Sequence, residues 1–273
     1  MFEDKLRKVY LDHSATTYVD KRVKKEMDKY YTLIFGNPSS FNDVGLEAKN
    51  ALDNAREKVA SILNVEPREI IFTGGGTESI NLAIKGVARA LKEKGKHIIT
   101  SKIEHHAVLN SCEYLEKKEG FKVTYLDVDR QGVVKLEDLK KAIRKDTILI
   151  SIMYANNEIG TIQPIEEIGK IAKENEIYFH TDACQVGSYL TLDVDKLNVN
   201  LMTLNGSKIY GPKGVGVLYI RKGVEIEPII HGGGQEFGLR SGTENIPGII
   251  GFAKALEIAQ EYREKESKRL VKL

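Results

Sequence analysis

Lys208 stands in the segment Asn205-Gly206-Ser207-Lys208-Ile209-Tyr210-Gly211-Pro212-Lys213-Gly214, after a short apolar run through Leu201, Met202 and Leu204. A lysine delivered from a strand into a Gly- and Pro-bounded turn can be desolvated, and its free amine is then a nucleophile toward an aldehyde. Alone that is a weak signal, but other segments carry groups of matching chemistry. Thr73-Gly74-Gly75-Gly76-Thr77-Glu78 follows a strand candidate and opens a helical stretch. Backbone N–H groups, the helix dipole and the Thr77 hydroxyl can converge there on a phosphate. The segment is neither a Walker A loop, which needs Gly-Lys-Ser/Thr, nor a complete dinucleotide fingerprint, because Ser79 replaces the last small residue. Taken singly, such a turn is as often a plain connection.

Glu104-His105-His106 follows the next strand candidate, and an imidazole there can stack on a planar ring or act as general acid or base. Two adjacent surface histidines near a helix start are the plainer reading, and a metal site is disfavoured for want of a third ligand at helical spacing. Asp182 closes the run Ile177-Tyr178-Phe179-His180-Thr181 at the carboxyl edge, where open α/β sheets place ligands. A carboxylate emerging there calls for a cationic partner, or else caps the following turn. Gln185 can reach the same face, and Cys184 between them reads as a small packing residue. Asn156 and Asn157 can bond a ligand oxygen or stabilise a turn. The Gly-rich stretch from His231 to Asn245 reads as a binding loop rather than a flexible connection.

These groups need a frame. The chain has 273 residues, 41% hydrophobic and 29% charged, enough for a substantial core in one large domain with at most a second, incomplete one. Its 41 basic and 39 acidic residues are interspersed, so neither a nucleic acid nor a membrane is an expected partner, and small-molecule chemistry is favoured. Two cysteines, Cys112 and Cys184, make no disulfide framework and fit a reducing cytoplasm. No apolar run approaches the roughly 18 residues of a membrane span. Helix-period stretches alternate with β-branched runs, the pattern of a doubly wound, mostly parallel α/β sheet. Strands are predicted at 69–73, 97–101, 122–126, 147–153, 176–181, 201–204 and 215–221, and several are continuous apolar runs suited to burial on both faces. Helices are predicted over 78–94, over 164–174 with Pro164 in the first turn, and from Pro247 onward. The last carries Phe252, Leu256 and Ala259 as its apolar positions and stops without a terminating Gly, Asn or Pro, as a sequence ending in mid-structure would.

In this order the segments resemble the cysteine desulfurases of the NifS/IscS type, the class V aminotransferase-related branch of the pyridoxal-phosphate enzymes of fold type I. The resemblance also takes in Tyr10-Leu11-Asp12-His13-Ser14-Ala15-Thr16-Thr17, Gly36-Asn37-Pro38-Ser39-Ser40 and Ala155 to Thr161. It implies an N-terminal segment at 1–15 on the active-site rim, a large cofactor-binding domain at 16–245, and a helix at 246–273 leading into a truncated C-terminal small domain. Pyridoxal 5'-phosphate would be the cofactor and L-cysteine the substrate. By the same resemblance Lys208 would hold the cofactor as an internal aldimine and move protons, and His105 would stack on the ring. Asp182 would pair with the ring nitrogen, Asn157 and Gln185 would bond the 3-oxygen region, and Gly76 and Thr77 would hold the phosphate. A homodimer is implied, with Thr243 reaching the neighbouring subunit's phosphate, as is a sulfur-accepting or scaffold protein for iron–sulfur cluster or thiolation pathways.

Two departures stand out. Asn205 and Ser207 occupy positions where the family usually has Ser and His, and both can still donate to phosphate oxygens. The family's sulfur-accepting cysteine and its substrate-carboxylate arginine lie C-terminal to the 231–245 stretch, and no position here matches either. The expectation is a chain that binds cofactor but desulfurates poorly or not at all. A selenocysteine lyase or aminotransferase of the same fold, and a non-catalytic cofactor-binding or scaffold paralogue, are the competing readings.

Overall fold

The computed structural model describes residues 9–273, so the first eight residues of the predicted rim segment at 1–15 lie outside it. The chain order is α1 (Lys21–Thr32), α2 (Asp43–Leu63), β1 (Ile70–Thr73), α3 (Gly76–Asn81), α4 (Val87–Ala90), β2 (His97–Ser101) and α5 (His106–Glu119). It continues with β3 (Lys122–Leu126), α6 (Leu136–Ala142), β4 (Thr147–Ser151), α7 (Ile165–Glu174), β5 (Tyr178–Asp182), α8 (Val194–Leu197), β6 (Leu201–Asn205), β7 (Gly216–Ile220) and α9 (Ile246–Val271).

The seven strands form one sheet in the order β1-β7-β6-β5-β4-β2-β3. Strands β6, β5, β4, β2 and β3 pair in parallel, whereas β7 is antiparallel to both of its neighbours, β1 and β6. Hydrophobic alternation along each strand feeds two cores. Ile70, Phe72, Ile99, Ile150, Met202 and Leu204 face one, with α1, α2, α7 and α9 packed on it. Their chain neighbours Ile71, Ile98, Leu149 and Leu201 face the other, under α3 and α5. The carboxyl ends of β1, β2, β4, β5 and β6 therefore meet at one edge, where α/β sheets place ligands.

Four predicted elements are corrected. The single helix expected over 78–94 is broken: α3 passes into a π-turn at Leu82–Gly86 before α4, and Glu227 N donates to Gly86 O at 3.1 Å. A Cβ on Gly86 would meet Glu227 O at 2.6 Å, so only glycine lets the crossing segment pass this close to the helical turn. The strand expected over 147–153 ends as a paired strand at Ser151, and the one expected over 176–181 starts later, at Tyr178. Helix α9 opens one residue earlier than predicted, with the Asn245 side chain accepting from Gly248 N and Pro247 in its first turn.

Buried histidines stitch the sheet. His97 on β2 bonds Thr147 Oγ1 of β4 at 2.7 Å and Thr124 Oγ1 of β3 at 2.8 Å. His180 on β5 bonds Ser151 Oγ of β4 at 2.8 Å and Thr203 Oγ1 of β6 at 3.0 Å. Burial holds His97 down at about 4 and His180 at about 3, from an ordinary 6.5. Both are thus neutral in the folded chain, while the unfolded chain takes up two protons as the pH falls through 6.5. Each histidine then removes about 1.4 kcal/mol of stability per pH unit. Denaturant titrations at successive pH values should show stability falling steeply from about pH 6 to pH 4, by roughly 2–5 kcal/mol from this source. His180→Asn should flatten that slope.

Candidate active site

At the carboxyl edge lies a cavity of about 520 Å³. Of the residues singled out from the sequence, Gly76, Thr77, His105 and Asn157 line it, as do Asp182, Gln185, Asn205, Ser207 and Lys208. Thr243 does not; it is exposed on the 231–245 stretch.

Each group reaches the cavity from the end of a strand. β6 runs out at Asn205 into a tight turn, Gly206–Lys208, which presents Ser207 and Lys208 half-buried at the cavity wall. The Lys208 ammonium donates to Ala15 O at 2.7 Å and also to Ser14 O. Gln185 Nε2 donates to the same Ser14 oxygen at 3.0 Å. Segment 12–17 thus crosses the mouth of the site, pinned by Thr17 N to Ser207 O at 2.8 Å and by Tyr210 N to Thr17 Oγ1 at 2.9 Å.

Asp182 closes β5 and is 7% exposed. Its Oδ1 accepts from Cys184 N at 3.0 Å, and among the described residues no protein donor reaches Oδ2. That oxygen is open to the cavity, where it can accept from a cationic partner. Cys184 lies against it, and burial followed by the Asp182 charge pushes its thiol well above the usual range. His105 is the N-cap of α5: its Nδ1 accepts from Ala107 N at 3.0 Å, which holds the ring at the cavity mouth. Asn157 Nδ2 donates to Glu158 Oε1 at 2.6 Å, whereas Asn156 is buried and structural, donating to Ile103 O at 2.9 Å.

The glycine turn after β1 is shaped by its neighbours. Gly75 has φ +145°, a conformation closed to L side chains. A Cβ on Gly76 would stand 2.8 Å from Cys184 Sγ and 3.5 Å from Asn205 Cβ, so the backbone closes directly on the strand ends. Glu78 holds the turn by accepting from Gly74 N at 3.0 Å, and Arg240 Nε donates to Glu78 Oε1 at 2.8 Å.

The 231–245 stretch is anchored at several points. Glu236, 4% exposed, accepts from Phe72 N at 2.8 Å and pairs with both terminal nitrogens of Arg56, at 2.8 and 2.6 Å. Gln235 Oε1 takes Gly242 N at 2.8 Å. Reading the sequence assigned no role to Ser14, Ala15, Glu78, Glu104, Glu236 or Arg240. The first two act through backbone carbonyls, which leave no trace in residue type, and the others act across long chain separations.

Residues 9–272 match the family described as aminotransferase class-V. The cysteine desulfurase IscS of Dictyoglomus turgidum is 59% identical over 267 residues, covering 98% of this chain and 68% of that protein. The cysteine desulfurase IscS of Methanosarcina thermophila is 58% identical over 97% of this chain and 65% of its own length. The chain belongs to the cysteine desulfurase branch of the class V aminotransferases.

Among solved structures, the chain is similar to one titled NifS-like protein, with a TM-score of 0.94 and 50% identity over 96% of this chain and 72% of that one. A second, titled SspA in complex with cysteine, gives 0.89 and 47% over 92% and 72%. The chain thus spans about two thirds of the length of the desulfurases it matches. Membership accounts for the fold-type-I arrangement of the cysteine desulfurases, a mostly parallel sheet with ligand-facing groups at its carboxyl edge.

Proposed function

We propose that this protein is a pyridoxal-phosphate-dependent cysteine desulfurase, taking L-cysteine to L-alanine and handing the sulfur on as a persulfide to an acceptor protein. The observation that carries this is that the Lys208 amine and the open Oδ2 of Asp182 line one cavity, delivered from the ends of adjacent strands. The residues fit the cofactor. A glycine cradle with no room for a Cβ at Gly76, flanked by Thr77, Asn205 and Ser207, is suited to its phosphate. Asp182 is suited to a protonated ring nitrogen, His105 to the ring face, and Asn157 and Gln185 to the 3-oxygen.

When bound, pyridoxal phosphate supplies an electron sink for charge at the substrate Cα. The chain does the rest. The Lys208 amine would hold the cofactor and would move the proton at the substrate Cα, and His105 at the cavity mouth would be a second proton-handling group. Neither cysteine suits the role of sulfur acceptor. Cys112 is fully buried with its thiol pushed up to about 12, and Cys184 is buried against Asp182.

On the same reading, residues 16–245 form the large cofactor-binding domain, 9–15 its rim, and 246–273 the helix leading out of it. The exposed Thr243, set apart from its own cavity, favours a homodimer in which it completes the partner's phosphate site. Two free, buried cysteines favour a cytoplasmic protein, and among the described residues no helix is long and apolar enough to cross a membrane.

The test is catalysis of α-proton exchange of L-cysteine in deuterated water by the cofactor-loaded protein, followed by NMR, with alanine measured in parallel. A polypeptide of residues 1–273 should catalyse the exchange and release alanine slowly or not at all. No exchange would remove the reading, and amino transfer dependent on a 2-oxo acid would assign the protein to the aminotransferases. Gly76→Ala, whose new methyl meets Cys184 Sγ, should weaken pyridoxal phosphate binding about tenfold, measured by equilibrium dialysis.

A further inference from the structure

Beyond Ser151 the chain of β4 continues alongside β5: Ile152 N donates to His180 O at 3.1 Å and Tyr154 N to Asp182 O at 2.9 Å. The Met153 amide between them points to the opposite side, where β2 has already ended at Ser101. Glu104 fills that place. Both of its carboxyl oxygens accept from Met153 N at 3.0 Å, and Oε1 also accepts from Ser101 Oγ at 2.6 Å. The residue is 4% exposed. A side chain thus supplies the hydrogen bond that a longer β2 would have given, and it does so beside three cofactor-facing groups. His105 is its chain neighbour. Tyr154, one residue from Met153, holds the Asp182 carbonyl. Asn156, which precedes Asn157, is tied back to Ile103.

We propose that Glu104 is a positioning residue of the cofactor site, a clasp that sets His105, Asp182 and Asn157 against one ring. The proposal rests on the cofactor reading above. Burial pushes the Glu104 carboxyl up to about 8, and the ionisable groups facing it are Asp182 at the end of β5 and Cys112 on α5. A neutral side chain that accepts from Met153 N is therefore the working form. Above that pH a second negative charge appears next to Asp182.

The experiment uses the intact protein titrated with pyridoxal phosphate, reading the lysine-linked visible absorbance, the circular dichroism induced in that band, and the dissociation constant. Glu104→Ala should weaken cofactor binding about tenfold and cut the induced dichroism by about half or more, with the far-ultraviolet spectrum unchanged. Glu104→Gln keeps an acceptor for Met153 N and cannot ionise. Its visible spectrum should coincide with the wild type below about pH 7 and diverge from it above about pH 8. Wild-type affinity and dichroism in Glu104→Ala would overturn the proposal, as would Glu104→Gln spectra that match the wild type across the whole pH range. Should Glu104→Ala not fold, the Glu104→Gln comparison decides. Absence of any lysine-linked band in the wild-type protein would instead remove the cofactor reading itself, and this proposal with it.

Discussion

Lys208→Ala should abolish the visible absorbance of protein loaded with pyridoxal phosphate and lower α-proton exchange of L-cysteine by about 10³-fold or more. The size follows from the two tasks that converge on one amine, covalent attachment and proton transfer, and among the described residues no other lysine lines the cavity. Non-covalent binding should survive in part, because the cradle at Gly76 and Thr77 and the carboxylate of Asp182 are untouched. Lys208→Arg separates the tasks from mere charge: it can still donate to the Ser14 and Ala15 carbonyls but cannot form the imine. It should be as dark as Lys208→Ala. Reduction of the loaded wild-type protein with borohydride, followed by peptide mass spectrometry, should place the label on Lys208. A label on another lysine would overturn the assignment.

Glu236→Ala should cost about 3–5 kcal/mol of stability in denaturant titrations, the effect of leaving a buried charge without its partner. Arg56 and Glu236 have side chains 5% and 1% exposed. The guanidinium also donates to Ile70 O at 2.5 Å and is sandwiched between the rings of Phe72 and Phe237, each 4.9 Å from its centre. Removing the carboxylate strands that cation and takes the acceptor from Phe72 N in β1. The backbone reports the same demand: Glu236 and Phe237 sit at φ 48° and 58°, left-handed values that non-glycine residues adopt at a cost met by the surrounding contacts. Replacing both partners, as in Arg56→Met with Glu236→Leu, should cost less than Glu236→Ala alone. A Glu236→Ala protein as stable as the wild type would show that the pair is dispensable to the fold.

The consequence reaches the site. Glu236 anchors the stretch that carries Arg240 and Thr243, and Arg240 holds Glu78 at the glycine turn. Thr243→Ala alone should leave stability unchanged, which separates loss of a ligand contact from loss of the anchor.

Several of these features were legible in the residues themselves. The runs at 97–101 and 122–126 became β2 and β3 with the predicted bounds: β2 is buried along its whole length, whereas β3, at the sheet edge and only partly covered, owes its legibility to its β-branched and aromatic residues. The turn at Gly74 to Gly76 and the position of Lys208 just after β6 were visible for a similar reason: glycine and proline punctuate the chain locally. The sequence does not reveal the π-turn at Leu82–Gly86 within the helix predicted over 78–94, where Gly86 lets the backbone of Glu227, far along the chain, approach closely. In the sequence Glu104 stands only as the neighbour of His105. Its role depends on β2 ending two residues short of where the chain of β4 carries on.

What the sequence by itself determined is the inventory and its order: alternating strands and helices, a glycine cradle, a carboxylate and a lysine each delivered at a strand end. These are local properties, set by hydrophobic period and turn chemistry over a few residues. Tertiary structure alone decided which strand ends become neighbours, placed antiparallel β7 between β1 and β6, laid the Ser14 and Ala15 carbonyls on Lys208, and brought Glu236 to Phe72. The physical reason is that a backbone carbonyl or amide will accept any suitable partner. Which one it meets is settled by packing the whole sheet, a choice no single stretch of sequence encodes.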